Sequence, residues 1–296
     1  MKVYTTQIIN DIENKIAQGY AANDKIYYRN IVGTRNSEIL FSYTHEEIIE
    51  LAKCYKDPIY FMEKYCKINT SSGLRNVTLR EYQKDIINKS FINKFCVNAC
   101  SRQTGMTTVK ALLALYNSLF RTEYITLFID NKRCNGIEKL NKIKDIYINL
   151  PYFLKPGITH WESTSLRFNN GSVIKIESGS AKTLAIGFSP DYIFIDDYAH
   201  MAPNAFQSIF PCIAARKNDK IMISSSPNGF NHFYDLLTNA ERKEGDPKKN
   251  GFVATRVYWW EVSGRDDEWK KKEILNIGSE DLFNQEYDLQ FLTYKR

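Results

Sequence analysis

From about residue 95 the chain alternates short apolar runs with longer stretches of helical periodicity, and this restricts the fold more than any other feature. Residues 95–99, 124–129, 192–195 and 220–224 have the length and near-continuous apolarity of buried strands. Between and after them, residues 107–119, 137–150 and about 230–241 read as helices. Residues 165–168 and 173–177 read as a hairpin about the turn Asn169-Asn170-Gly171. Strands that alternate with helices predict an α/β fold, with a mostly parallel sheet covered on both faces.

Upstream, Thr44 and Glu47 have capping-box spacing before the apolar Ile48, Ile49 and Leu51, so a helix starts there. Asp57-Pro58 opens a second helix by the same logic, with Asp as N-cap and Pro in the first turn. These two helices precede the first clear strand. We therefore divide the 296 residues into an N-terminal segment (1–43, helical or loose), an α/β core with its preceding helices (44–263) and a C-terminal part of two charged helices (264–296).

Composition narrows the function classes. Apolar residues make up 43% and charged residues 25%, which excludes collagen-like and largely disordered chains. A net charge of +6 permits a polyanionic partner without requiring one. The six cysteines form no C-x-x-C pair and the four histidines no H-x-x-x-H pair, which argues against a zinc site and for reduced thiols. No apolar run approaches the roughly 18 residues that span a bilayer, and Met1-Lys2-Val3-Tyr4-Thr5 leads into polar sequence instead of a signal-peptide core.

Parallel α/β sheets bind ligands beyond the carboxyl ends of their strands, so the loops there hold the candidate site residues. After residues 95–99 comes Cys100-Ser101-Arg102-Gln103-Thr104-Gly105-Met106-Thr107-Thr108. Against the phosphate-loop pattern G-x-x-x-x-G-K-[ST] it keeps Gly105 and the metal-binding hydroxyl Thr107, but has Cys100 for the first glycine and Met106 for the lysine. A helix opening there would aim amides and a positive dipole end at an anion; an ordinary strand-to-helix turn capped by Thr107 has the same sequence signature. Residues 192–195 run into Asp196-Asp197, a Walker B arrangement in which one carboxylate serves Mg2+ and its neighbour the attacking water. Adjacent acids also simply cap following segments. Ser225-Ser226-Pro227-Asn228 reads either as a tight connection or as a loop that senses the γ-phosphate, and Gln83, in Leu79-Arg80-Glu81-Tyr82-Gln83, as a helix residue or a reader of the adenine edge.

Taken in order, these segments resemble the ATPase domain of the terminase large subunit of tailed phages, over about residues 56–292. The resemblance rests on Asp57-Pro58-Ile59-Tyr60-Phe61, the Gln83 segment, Ser101 to Thr108 against the family's S-R-Q-x-G-K-T-T, Ile193 to Asp197, Ser225 to Tyr234, and Phe283 to Tyr287 through Leu292. It implies an ASCE-type P-loop fold that binds ATP and Mg2+ at Ser101, Arg102, Gln103, Thr104, Gly105, Met106, Thr107 and Thr108. Thr107 and Asp196 would hold the metal, with Asp197 and Arg102 catalytic and Ser225, Ser226, Pro227 and Asn228 coupling. It further implies double-stranded DNA, a portal protein and a small terminase subunit as partners, and a homo-oligomeric ring at the procapsid portal vertex in the host cytoplasm.

Three departures bear on activity. Met106 supplies no charge, Asp197 replaces a glutamate and is shorter by about 1.5 Å, and Ile186 stands where many relatives have an arginine before glycine. Arg102 remains as a cation on the loop, and Lys182 or a neighbouring subunit is the expected compensating charge. A nucleotide-binding or nucleotide-dead scaffold that assembles with an active terminase is the alternative function, suggested by Met106; a helicase fragment would need a second RecA-like domain for which the chain has no room. Family members continue into a nuclease domain, so the resemblance assigns DNA cutting to a separate nuclease polypeptide or a missing domain.

Overall fold

The computed structural model describes residues 26–178, 189–203, 210 and 218–293. In chain order the described helices and strands are α1 (His45–Lys56), α2 (Pro58–Tyr65), β1 (Lys67–Thr70), β2 (Gly73–Asn76), α3 (Glu81–Ile92), β3 (Phe95–Cys100), α4 (Met106–Phe120), β4 (Ile125–Asp130) and α5 (Arg133–Ile148). There follow β5 (Ile158–Trp161), β6 (Ser165–Phe168), β7 (Val173–Ser178), β8 (Tyr192–Ile195), β9 (Lys220–Ser225), α6 (His232–Ala240), β10 (Val253–Val257), α7 (Asp267–Ile277) and α8 (Glu280–Glu286). No described helix is long and apolar enough to cross a membrane.

The chain forms two compact units. One comprises residues up to Leu79 together with Ala111–Thr126 and Ile137–Lys175. Its first two helices start where the sequence places them. Thr44 Oγ1 accepts from the Glu47 amide at 3.2 Å while Glu47 Oε2 accepts from the Thr44 amide at 2.9 Å, and Asp57 Oδ1 accepts from the Tyr60 amide at 2.9 Å. Two antiparallel features are additions to the sequence reading. β1 and β2 pair as a hairpin before residue 95, and β5 extends the foreseen β6–β7 hairpin to three strands.

The other unit comprises Arg80–Lys110, Leu127–Gly136 and the chain from Ile176. Its strands lie in the order β10, β3, β9, β8, β4. The β10–β3, β3–β9 and β9–β8 pairs are all parallel. Alternation along the strands brings Val97, Ala99, Ile193, Ile195, Ile221 and Ile223 into one core cluster with Phe233, Leu237 and Ala240 of α6. The expected α/β fold with a mostly parallel sheet is therefore present. β9 stands between β3 and β8, so the loop after β9 leaves the sheet between the phosphate-loop strand and the strand that carries the acid pair. β10 is a further strand to which the sequence analysis assigns no element. The two charged C-terminal helices form as expected, and Trp259, Phe283 and Tyr287 make their buried core, with Trp269, Ile274 and Ile277 packed against it.

Candidate functional site

The segment between β3 and α4 is a turn with two left-handed residues, Gln103 at φ 59 and Gly105 at φ 79. A Cβ on Gly105 would stand 2.6 Å from Gln83 Nε2, so conformation and space both call for glycine there. Thr104 Oγ1 donates to the Ser101 carbonyl at 3.1 Å and tightens the turn. The Ser101 amide donates to the Val257 carbonyl at 2.8 Å and the Arg102 amide to the Glu286 carbonyl at 3.1 Å. The Thr108 and Val109 amides close on the Gly105 carbonyl at 3.0 and 3.1 Å and start the helix. The amides of residues 103–107 meet no acceptor among the described residues. They sit at the N-terminus of a 15-residue helix, whose dipole adds to their attraction for an anion.

Neighbouring elements hold this turn in shape. From α3, Gln83 Nε2 donates to the Thr104 carbonyl at 3.0 Å, Gln83 Oε1 accepts from the Arg80 amide at 3.0 Å, and the Tyr82 hydroxyl donates to the same Thr104 carbonyl at 2.8 Å. Both ends of the Gln83 amide are thus bonded to backbone, where the sequence reading gives it an adenine edge to read. From the C-terminal helices, Glu286 takes Arg102 in a fork, with Nε to Oε2 at 2.7 Å and Nη2 to Oε1 at 3.4 Å. That hydrogen bond raises the Arg102 pKa, and the charge of Asp197 raises it further. Arg265 donates to the Arg102 carbonyl at 3.0 Å and to Gln103 Oε1 at 3.2 Å, and burial lowers its pKa. No sequence motif marks Arg265; only the packed helices bring it to the turn.

The acid pair follows β8. The Asp196 amide donates to the Ile129 carbonyl at 3.0 Å, which fixes the end of β8 against β4. Asp197 is left-handed at φ 52, a conformation that a short polar side chain tolerates and most residues avoid. Asp196 Oδ1 accepts from Lys110 Nζ at 2.6 Å, with the Lys110 side chain 0% exposed and that of Asp196 16% exposed. The helix that grows out of the turn thus reaches the Asp196 carboxylate directly. Lys110 is the residue sequence reasoning missed. Its signal was a single lysine inside the otherwise apolar run from Val109 to Leu115, four residues after Met106.

After β9, Ser225 Oγ accepts from the Ala199 amide at 3.0 Å, and the Ala199 carbonyl accepts from Asn228 Nδ2 at 3.2 Å and Asn231 Nδ2 at 2.9 Å. Asn231 Nδ2 also donates to the Asn228 carbonyl at 3.0 Å, and the His232 ring lies 2.9 Å from the Tyr198 carbonyl. Ser226 and Pro227 are buried in the same loop. All but the Asn231–Asn228 bond end on the turn Tyr198–His200, directly after Asp197. Ile186 and Lys182 lie outside the described residues.

The donor set suits a nucleotide with Mg2+. Among the described residues no group of three or more His, Cys, Asp or Glu side chains could hold a metal alone. Thr107 and Asp196 offer one hydroxyl and one carboxylate, the sparse protein ligation that Mg2+ completes with phosphate oxygens and water. Ser101 Oγ is buried with no hydrogen-bond partner among the described residues, and remains available to a ligand at the turn.

Comparison with known proteins agrees with this architecture. The family described as terminase large subunit, T4likevirus-type, N-terminal, matches residues 99–294. The ATPase domain of the large terminase of Thermus phage P74-26 is 20% identical, with a TM-score of 0.62, over 73% of this chain and 94% of that one. The large terminase of bacteriophage HK97 is 17% identical, with a TM-score of 0.65, over 79% of this chain and 54% of that one, so the chain spans about half its length. A large terminase from a thermophilic bacteriophage, in complex with ADP, is 8% identical with a TM-score of 0.56, over 72% of this chain and 54% of that one. At these identities the structures speak for the fold. The family match covers most of the chain, including the phosphate-loop turn, the acid pair and the loop after β9, and the chain belongs to the N-terminal family of T4likevirus-type terminase large subunits.

Proposed function

We propose that this chain is the ATPase part of a viral DNA-packaging motor, which turns over ATP to move double-stranded DNA into a procapsid. The observation that carries the reading is the acceptor-free turn at the start of α4, joined to the Walker B carboxylate through Lys110. The amides of residues 103–107 and Arg102 bind and orient the polyphosphate. Thr107 and Asp196 hold Mg2+, which when bound neutralises charge on the transferring phosphoryl group. Asp197 accepts a hydrogen bond from the attacking water and orients it. Gln83 keeps the turn in register, and its amide exchanges a backbone partner for adenine if it reads the base. Ser225 and Asn228 report the state of the Asp197 turn to α6 through their bonds to Ala199.

DNA contacts are mainly to phosphates, sequence-independent and strongly salt-dependent. The portal, a small terminase subunit and a separate nuclease polypeptide or domain complete the machine, with several copies of this chain as a ring at the portal vertex. Membership of the terminase family supports this assignment. The ADP complex of the thermophilic-phage terminase supports nucleotide as ligand.

Met106 favours a second reading, a scaffold that binds nucleotide without turnover. Steady-state ATP hydrolysis with and without duplex DNA separates the two. A motor shows DNA-stimulated turnover that falls by about two orders of magnitude or more in Arg102→Ala, the scale of losing one cation from a phosphoryl-transfer site. A scaffold shows the same background rate in both proteins.

A further inference from the structure

We propose that Lys110 replaces the lysine missing at position 106, and that its ammonium is the cation that faces the terminal phosphates. The inference rests on the nucleotide-site reading above. Position 110 is four residues after Met106 on α4, so the two share a face of the helix. Helical side chains lean toward the N-terminus, and four residues rise only about 6 Å. An extended lysine one turn further along therefore returns its ammonium to the level of the turn.

The surroundings favour a functional charge over a packing residue. Val109 and Ala111 through Leu115 are 0% exposed, and the Lys110 side chain is likewise 0% exposed. An apolar residue would fill that place at less desolvation cost, since a buried ion pair is seldom a net gain over apolar packing. Among the described residues the ammonium has a single partner, Asp196 Oδ1 at 2.6 Å. A lysine ammonium has three donors, so bonds remain for phosphate oxygens at the same point. Met106 is 7% exposed and its thioether has no charge and no donor. The buried, unpartnered Ser101 Oγ is a second, independent sign that the turn is built for a ligand.

Calorimetric titration of the full chain with the non-hydrolysable ATP analogue AMP-PNP and Mg2+ tests this. Lys110→Met is expected to weaken binding by about tenfold or more, and Met106→Lys/Lys110→Val, which returns the lysine to the turn, to restore it to within about threefold. Thermal melting runs alongside, because a merely structural lysine lowers the melting temperature and leaves the affinity of the folded protein unchanged. Unchanged affinity in Lys110→Met overturns the assignment and leaves the nucleotide site standing. Wild-type protein that binds no AMP-PNP overturns both. If Lys110→Met does not fold, the double variant decides: restored binding supports the relocation, and a folded double variant that binds weakly contradicts it.

Discussion

Asp196→Ala is expected to abolish ATP hydrolysis and to destabilise the fold by about 3–5 kcal/mol, because it strands a buried ammonium. Lys110 Nζ lies 2.6 Å from Asp196 Oδ1, and the Lys110 side chain is shielded entirely from solvent. The loss of stability and the loss of chemistry then have different causes and can be separated. Asp196→Ala/Lys110→Met removes both charges, so chemical denaturation should show most of the stability recovered, because a methionine packs where the lysine stem lay. Hydrolysis should stay lost, since neither the metal carboxylate nor the phosphate cation is present. A double variant no more stable than Asp196→Ala would mean that the pair is not the source of the destabilisation. Turnover in either variant would remove Asp196 from the mechanism.

Asn231→Ala is expected to separate ATP turnover from its response to DNA. This asparagine caps α6 through its Oδ1, which accepts from the Phe233 and Tyr234 amides at 3.0 and 3.4 Å. Its Nδ2 donates to the Ala199 carbonyl on the turn after Asp197 and to the Asn228 carbonyl. The cap alone is worth about 1 kcal/mol, so the fold should survive. With the Asn231 bond to the Tyr198–His200 turn removed and the His232 bond left in place, basal hydrolysis should stay within about threefold of wild type while stimulation by duplex DNA falls severalfold. Ser225→Ala, which removes the acceptor for the Ala199 amide, should act in the same direction. Basal and stimulated rates that fall together would place Asn231 in the chemistry instead of the coupling. Full stimulation in both variants would dismiss the loop as the coupling element.

How much of this was legible in the sequence depends on whether the signal was local. The parallel strands were legible because a strand buried on both faces must be apolar throughout, as Tyr192 to Ile195 are. The helix starts at Thr44 and Asp57 were legible because a cap is satisfied within four residues of chain. The β1–β2 hairpin was not, since Lys67-Ile68-Asn69-Thr70 and Gly73-Leu74-Arg75-Asn76 are mostly exposed and show no apolar pattern. β5 and β10 are short, and β10 has only Val257 fully buried, so neither shows a strand pattern in the sequence. The turn and the acid pair were visible as motifs, but their supports were not. Glu286 and Arg265 come from far along the chain, and Lys110 sits inside an apolar helix where periodicity assigns a packing role. The motif reading also treated Met106 as a deficit at one position, whereas helical geometry lets another residue supply charge from one turn away.

Hydrogen exchange of the turn amides, read by mass spectrometry on the full chain with and without ATP and Mg2+, tests the central claim most directly. A polyphosphate seated against the start of α4 should slow exchange across residues 103–107, where no acceptor is present among the described residues, and the protection should vanish in Asp196→Ala/Lys110→Met. Exchange there that nucleotide does not change, or protection confined to another part of the molecule, would contradict the account.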